Sequence, residues 1–168
     1  MPSALSPKPG PIRLGSHFAE WGLLFLVIVV LLLAFLRQAR VVQGQAEHAA
    51  IKTTLGALRT AFAFNQLKDR TAGSKDSVAL PQRNPFELLQ SLPPNYVGEI
   101  NAEQAVVAGP GSWFFEPACA CVGYVPLDPR WLSSPRNASM LWFRVSSTQG
   151  FFQLSAMEIY QWQGQPLD

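Results

Sequence analysis

Residues 21–36, which begin with Trp21 and end with Leu36, carry no charged or strongly polar side chain. This run of 16 residues becomes 19 if Phe18 and Ala19 are counted across Glu20. As a helix rising about 1.5 Å per residue it extends about 24–29 Å, close to the roughly 30 Å of hydrocarbon that a membrane span must cross. Past residue 40 the pattern turns periodic. Ile51, Leu55, Leu58 and Phe62 follow one another at spacings of four, three and four, which lays a single apolar stripe along one helix face. Lys52, Arg59, Gln66 and Lys68 are expected away from that stripe, toward solvent. Pro is absent from residue 17 until Pro81. The pattern therefore predicts one continuous helix that stops near Arg70-Thr71-Ala72-Gly73, where Gly supplies a C-terminal signal.

The remainder is richer in Pro, Gly, aromatic and β-branched residues, the composition of strands and turns. Asn84-Pro85 to Leu92 reads as a short helical or irregular connector closed by Pro93-Pro94. Candidate strands are residues 95–100, 112–116, 121–125, 140–146 and 151–162, the last two flanking a hairpin turn at Ser147-Thr148-Gln149-Gly150. An antiparallel sheet laid over the amphipathic part of the helix buries the stripe and one sheet face together. Five Trp and eleven Phe supply apolar volume for so small a core. The expected fold class is α+β, a long N-terminal helix whose second half packs against a C-terminal antiparallel β-sheet.

A chain of 168 residues has room for one modest domain beside a membrane segment. Its formal net charge of +2 comes from 13 Lys and Arg against 11 Asp and Glu, and Lys8 and Arg13 account for the excess. The chain after Gly15 is thus neutral, which does not fit nucleic acid as the main partner. The apolar run exceeds the roughly 7–15 residues of a signal-peptide core. It ends in Leu36-Arg37-Gln38-Ala39-Arg40, with no small-x-small cleavage site beside it. Lys8 and Arg13 before the run are balanced by Arg37 and Arg40 after it, but the acid-free N-terminal stretch favours an N-terminus inside.

Chemistry-bearing residues are few. The two histidines, His17 and His48, stand at the apolar entrance and on the helix, and neither suggests a catalytic triad or a metal site with sensible ligand spacing. No enzymatic activity, cofactor or metal is expected. The two cysteines, Cys119 and Cys121, are separated by one Ala, so a disulfide between them closes a small, strained ring; two such thiols on a turn are more often structural, reduced or weakly bridged than a redox pair or half of a soft-metal site. Asp128 is too isolated for a calcium loop. Adjacent aromatics such as Trp113-Phe114-Phe115 and Trp142-Phe143 alternate faces in a strand. About half therefore point away from the helix, either toward subunit contacts or into a second small apolar layer.

Glu20 is the informative residue. A lone carboxylate at the mouth of an apolar segment costs several kcal/mol if it enters lipid unpaired, so a partner is expected. Arg13-Leu14-Gly15, then Ser16-His17-Phe18-Ala19-Glu20, then Trp21 onward resembles the processing site of type IV pilin-like proteins, with cleavage after a Gly and Glu as fifth residue of the mature chain. The resemblance extends over the helix pattern and the helix-loop-sheet order. The segments from Asn84 to Glu99 and from Gly109 to Phe115 are similar to the heads of pilin-like proteins of the type II secretion and mannose-sensitive haemagglutinin pilus kind. It implies a leader at residues 1–15, a membrane or filament-core helix at 16–40, an amphipathic helix at 41–70, and a loop with an antiparallel sheet at 71–168. It further implies that prepilin peptidase cleaves between Gly15 and Ser16 and that Ser16 is N-methylated. Glu20 would then pair with the terminal amine of a neighbouring subunit. The implied partners are other pilin or pseudopilin subunits and an inner-membrane assembly platform. The implied location is the bacterial inner membrane, single-pass with the C-terminal part periplasmic, and afterwards a pilus or a type II secretion pseudopilus. Ser16 where Phe is usual, and Arg37 near the place of a common kinking Pro, fit a divergent, minor member. Two other readings keep the N-terminus intact: a signal-anchored periplasmic adaptor and a tethered ligand-binding protein of an envelope complex.

Overall fold

The computed structural model describes residues 16–72, 83–148 and 151–167. Gly15 and the rest of the expected leader, Gly73 and the hairpin tip at Gln149-Gly150 lie outside the described residues. The chain divides into two compact units, Met1–Val42 and Gln43–Asp168.

Helix α1 comprises Ser16–Ala72. In the first unit its large apolar side chains, among them Phe18, Trp21, Phe25, Leu31 and Leu36, are exposed. The helix is long and apolar enough to cross a membrane, and its most apolar window is 0% buried, unlike the core helix of a soluble protein.

In the second unit Ile51, Leu55, Leu58 and Phe62 are buried at 0–1% exposure, as the periodicity predicts. The stripe is longer than expected, because Gly44, Glu47 and Gln66 continue its spacing and are buried too. Gln66 therefore lies on the packed face, four residues beyond Phe62, and the expectation of a solvated Gln66 is overturned. Arg59 is also drawn in: half-buried, it donates from Nε to the Leu154 carbonyl at 3.2 Å. Lys52 and Lys68 are exposed.

Five strands form the main sheet in the order β1-β2-β3-β5-β6: β1 Tyr96–Glu99, β2 Trp113–Glu116, β3 Cys121–Tyr124, β5 Leu141–Thr148 and β6 Phe151–Ala156. All neighbours pair antiparallel except β1 and β2, which are parallel, Tyr96 opposite Trp113. A parallel pair needs a crossover, supplied by the unforeseen helix α2, Ala102–Ala108. Its N-terminus is closed by a reciprocal capping box, Gln104 N–H to Asn101 Oδ1 at 2.8 Å and Asn101 N–H to Gln104 Oε1 at 3.1 Å. The expected strand over residues 151–162 is two strands. After β6 the Met157 N–H donates to Trp142 O at 2.9 Å, and the chain then joins a separate small sheet, β4-β7-β8, comprising Leu132–Ser133, Gln161–Trp162 and Gln165–Pro166. The connector at 84–92 contains a 3₁₀ turn, Pro85–Leu88, capped by Asn84.

Strand alternation sorts the aromatics into two layers. Trp113 and Phe115 of β2, Tyr124 of β3 and Phe143 of β5 face the helix stripe and share its core with Tyr160 and Trp162. Phe114 points to the other face, where it is fully buried with Ala105 of α2 and Met140, and Trp142 packs against them. For these residues the second apolar layer is found, and no exposed aromatic stripe. The side chains of Phe151 and Phe152 lie outside the described set.

Candidate functional site

Ser16 opens α1, and Glu20 stands one turn inside it. The Glu20 carboxylate lies 3.6 Å from Nδ1 of His17, and both side chains are largely exposed. A carboxylate so open retains accepting capacity for a further donor. Past it, the exposed apolar surface is of the kind that marks contact with a membrane or another protein. The site combines a long apolar helical surface with one acidic group at its mouth.

A second feature escaped the sequence reading. Glu47, one turn before Ile51 on the buried stripe, is 5% exposed. Its Oε1 accepts from the Tyr124 hydroxyl at 2.7 Å and from the Leu127 N–H at 2.8 Å, while Oε2 is buried and makes no hydrogen bond among the described residues. Burial raises the Glu47 pKa above the ordinary carboxylate value, against the opposing effect of the two hydrogen bonds, and Asp128 adds to the rise. One turn earlier, the Trp162 indole N–H donates to the Gly44 carbonyl at 2.8 Å. His48 stacks on the Trp162 ring at 6.4 Å; burial, then Lys52, lowers its pKa. These contacts fix α1 to β3 and β7. The available signal was spacing: 44, 47 and 51 continue the stripe backward, and a carboxylate on an apolar stripe calls for donors.

A third feature surrounds the cysteines. Cys119 and Cys121 are joined by a disulfide across a turn in which Ala120 adopts φ 51°. They line a cavity of about 240 Å³ together with Trp142, Arg136, Met157 and Glu158. Arg136 and Glu158 approach to 3.6 Å, with Glu158 Oε2 buried and lacking a hydrogen bond among the described residues. Met157 and Glu158 reach this place only through the break after β6, which nothing in the local sequence announces.

Among the described residues no group of three or more His, Cys, Asp or Glu is placed to hold a metal ion. His17 and His48 stand on different units of the chain, and neither contacts a nucleophilic side chain among the hydrogen bonds found. Comparison with protein-family models, with curated proteins and with solved structures found no match.

Proposed function

We propose that this chain is a type IV pilin-like subunit of a pilus or type II secretion pseudopilus. In this reading it is made as a single-pass inner-membrane precursor with its sheet-bearing part in the periplasm. Prepilin peptidase cleaves it between Gly15 and Ser16 and methylates Ser16, and an assembly platform packs it into a filament through α1. The role is mechanical, not catalytic. One observation carries it: a single helix, Ser16–Ala72, whose residues 18–36 expose an apolar surface interrupted by Glu20 and whose later part is buried along one face.

In a low-dielectric helix bundle an uncompensated charge is strongly unfavourable, whereas an ion pair fixes register even where its net contribution to stability is small. A neighbouring subunit's terminal amine satisfies the carboxylate only if the helices pack in one stagger. Tagged wild type and Glu20→Ala, each co-expressed with wild-type partners, test this in sheared or secreted filaments. The variant is expected to reach the membrane as well as wild type, since one charge is removed from an apolar entrance, yet to be depleted from filaments at least several-fold. Equal incorporation would remove the pairing role. Absence of both forms from assembled material would favour the signal-anchored adaptor.

A further inference from the structure

The cavity beside the disulfide has a lining that the filament reading does not use. Three sulfur atoms converge on it from two places in the fold. Cys119 lies in the turn between β2 and β3 and Cys121 opens β3, their Cα atoms 5.2 Å apart. Met157 is held at the end of β6 by its N–H bond to Trp142 O, and its Sδ lies 3.8 Å from Cys121 Sγ. The carboxylate of Glu116 stands 3.9 Å from Cys119 Sγ. Cys121 is fully buried, Cys119 half-buried and Met157 45% exposed, so the sulfur cluster runs from the core to the solvent.

Two sulfurs bound to one metal ion at about 2.3 Å, with tetrahedral to trigonal angles, lie about 3.8–4.0 Å apart. The Cys121 and Met157 sulfurs already stand at that separation. Thiolate and thioether together are a soft donor set, which selects Cu(I) over harder ions. Structural zinc instead wants four ligands drawn from Cys, His, Asp and Glu, and no such grouping occurs among the described residues.

We propose that the dithiol form of this cavity binds one Cu(I) ion through Cys119 Sγ, Cys121 Sγ and Met157 Sδ, and that the disulfide is its closed, metal-free state. Opening requires a dithiol reductant. Its thiolate attacks one sulfur of the disulfide, the S–S bond breaks through a mixed disulfide, and two electrons and two protons end on Cys119 and Cys121 while the reductant becomes a disulfide. Cu(I) then displaces the two thiol protons to solvent and takes the Met157 thioether as third ligand, without change of oxidation state. Trp142 lines the same cavity, and Glu116 places a carboxylate beside Cys119. Oxidation of the thiols leaves one thioether, too weak a donor alone to retain the ion. The proposal is independent of whether the chain polymerises.

The test uses the full chain in detergent, reduced with a phosphine that is then removed under anaerobic conditions. Cu(I) is titrated in competition with a chromophoric Cu(I) chelator. The reduced chain is expected to take up one Cu(I), which protects both cysteines from alkylation, and the oxidised chain to take up none. Met157→Leu, close in volume and apolar, is expected to weaken binding at least tenfold while leaving the circular dichroism and melting temperature unchanged. Cys119→Ser and Cys121→Ser should each abolish stoichiometric uptake. Equal uptake by oxidised and reduced chain, no uptake by the reduced chain, or unaltered affinity in Met157→Leu would each overturn the three-sulfur site.

Discussion

The Tyr124 hydroxyl donates to Glu47 Oε1 at 2.7 Å, tying the third strand of the sheet to a helix position 77 residues earlier in the chain. The same oxygen accepts from the Leu127 N–H, so one carboxylate serves two donors, of which the Tyr124 hydroxyl is buried. Glu47→Ala leaves the buried Tyr124 hydroxyl unpaired, at a cost of about 1–3 kcal/mol. Glu47→Gln keeps an acceptor and removes a desolvated charge, so it should be near neutral or stabilising. Thermal melts of the two variants decide this; equal destabilisation by both would show that the charge itself is needed.

The pH dependence has a definite sign. Burial raises the Glu47 pKa in the folded chain above 4.5, so the folded state holds the proton more tightly than the unfolded one. Stability from this group is fully present below the unfolded value and is lost as pH rises through the folded pKa. The melting-temperature advantage of Glu47→Gln over wild type should therefore grow as pH is raised from 4.5 toward neutrality. A difference that shrank over this window would contradict the assigned direction. Tyr124, its own pKa raised by burial and by Glu47, remains a donor throughout.

Gly123 is a packing residue. It pairs with Phe114 on one side and Trp142 on the other, and the Phe114 ring lies where a Cβ on Gly123 would stand. Phe114 meets Trp142 edge to face, at 5.2 Å and 88°. Gly123→Ala should destabilise by about 1–3 kcal/mol through overpacking. Phe114→Leu in the same chain should recover part of that loss, a coupling that a double-mutant cycle measures; strict additivity would show the two positions to be independent.

Along the helix stripe, Leu58 is fully buried and in the main core. Leu58→Ala should cost about 2–5 kcal/mol, whereas Lys52→Ala on the exposed face should stay within about 0.5 kcal/mol. Chemical denaturation of both checks the stripe, and similar small losses would place Leu58 against a partner and not against the sheet.

The long helix and its stripe were legible because 3.6-residue periodicity is a local signal and no Pro interrupts it. Aromatic and β-branched composition between turn residues in turn placed β2, β3 and β5, although β2 and β3 are buried on both faces and show no alternation. Gln66 and Arg59 were misplaced because polar residues were assigned to solvent by type, while the stripe's spacing and the Leu154 carbonyl drew them in. The helix α2 is short and lies between two strands, although Asn101 and Gln104 carried a capping signal. The split after Ala156 is tertiary in origin: Trp162 leaves the main sheet to pair with Leu132 and to reach Gly44. Glu20 was legible from position alone, as a charge at the mouth of an apolar run. The sulfur cavity required the fold, since 36 residues separate Cys121 from Met157.

The most direct test of the filament reading is the intact mass of the chain recovered from membranes of cells that contain a prepilin peptidase. The expected mass is that of a chain beginning at Ser16 and carrying one N-methyl group. A mass that retains Met1, or one set by cleavage after Leu36, would contradict it.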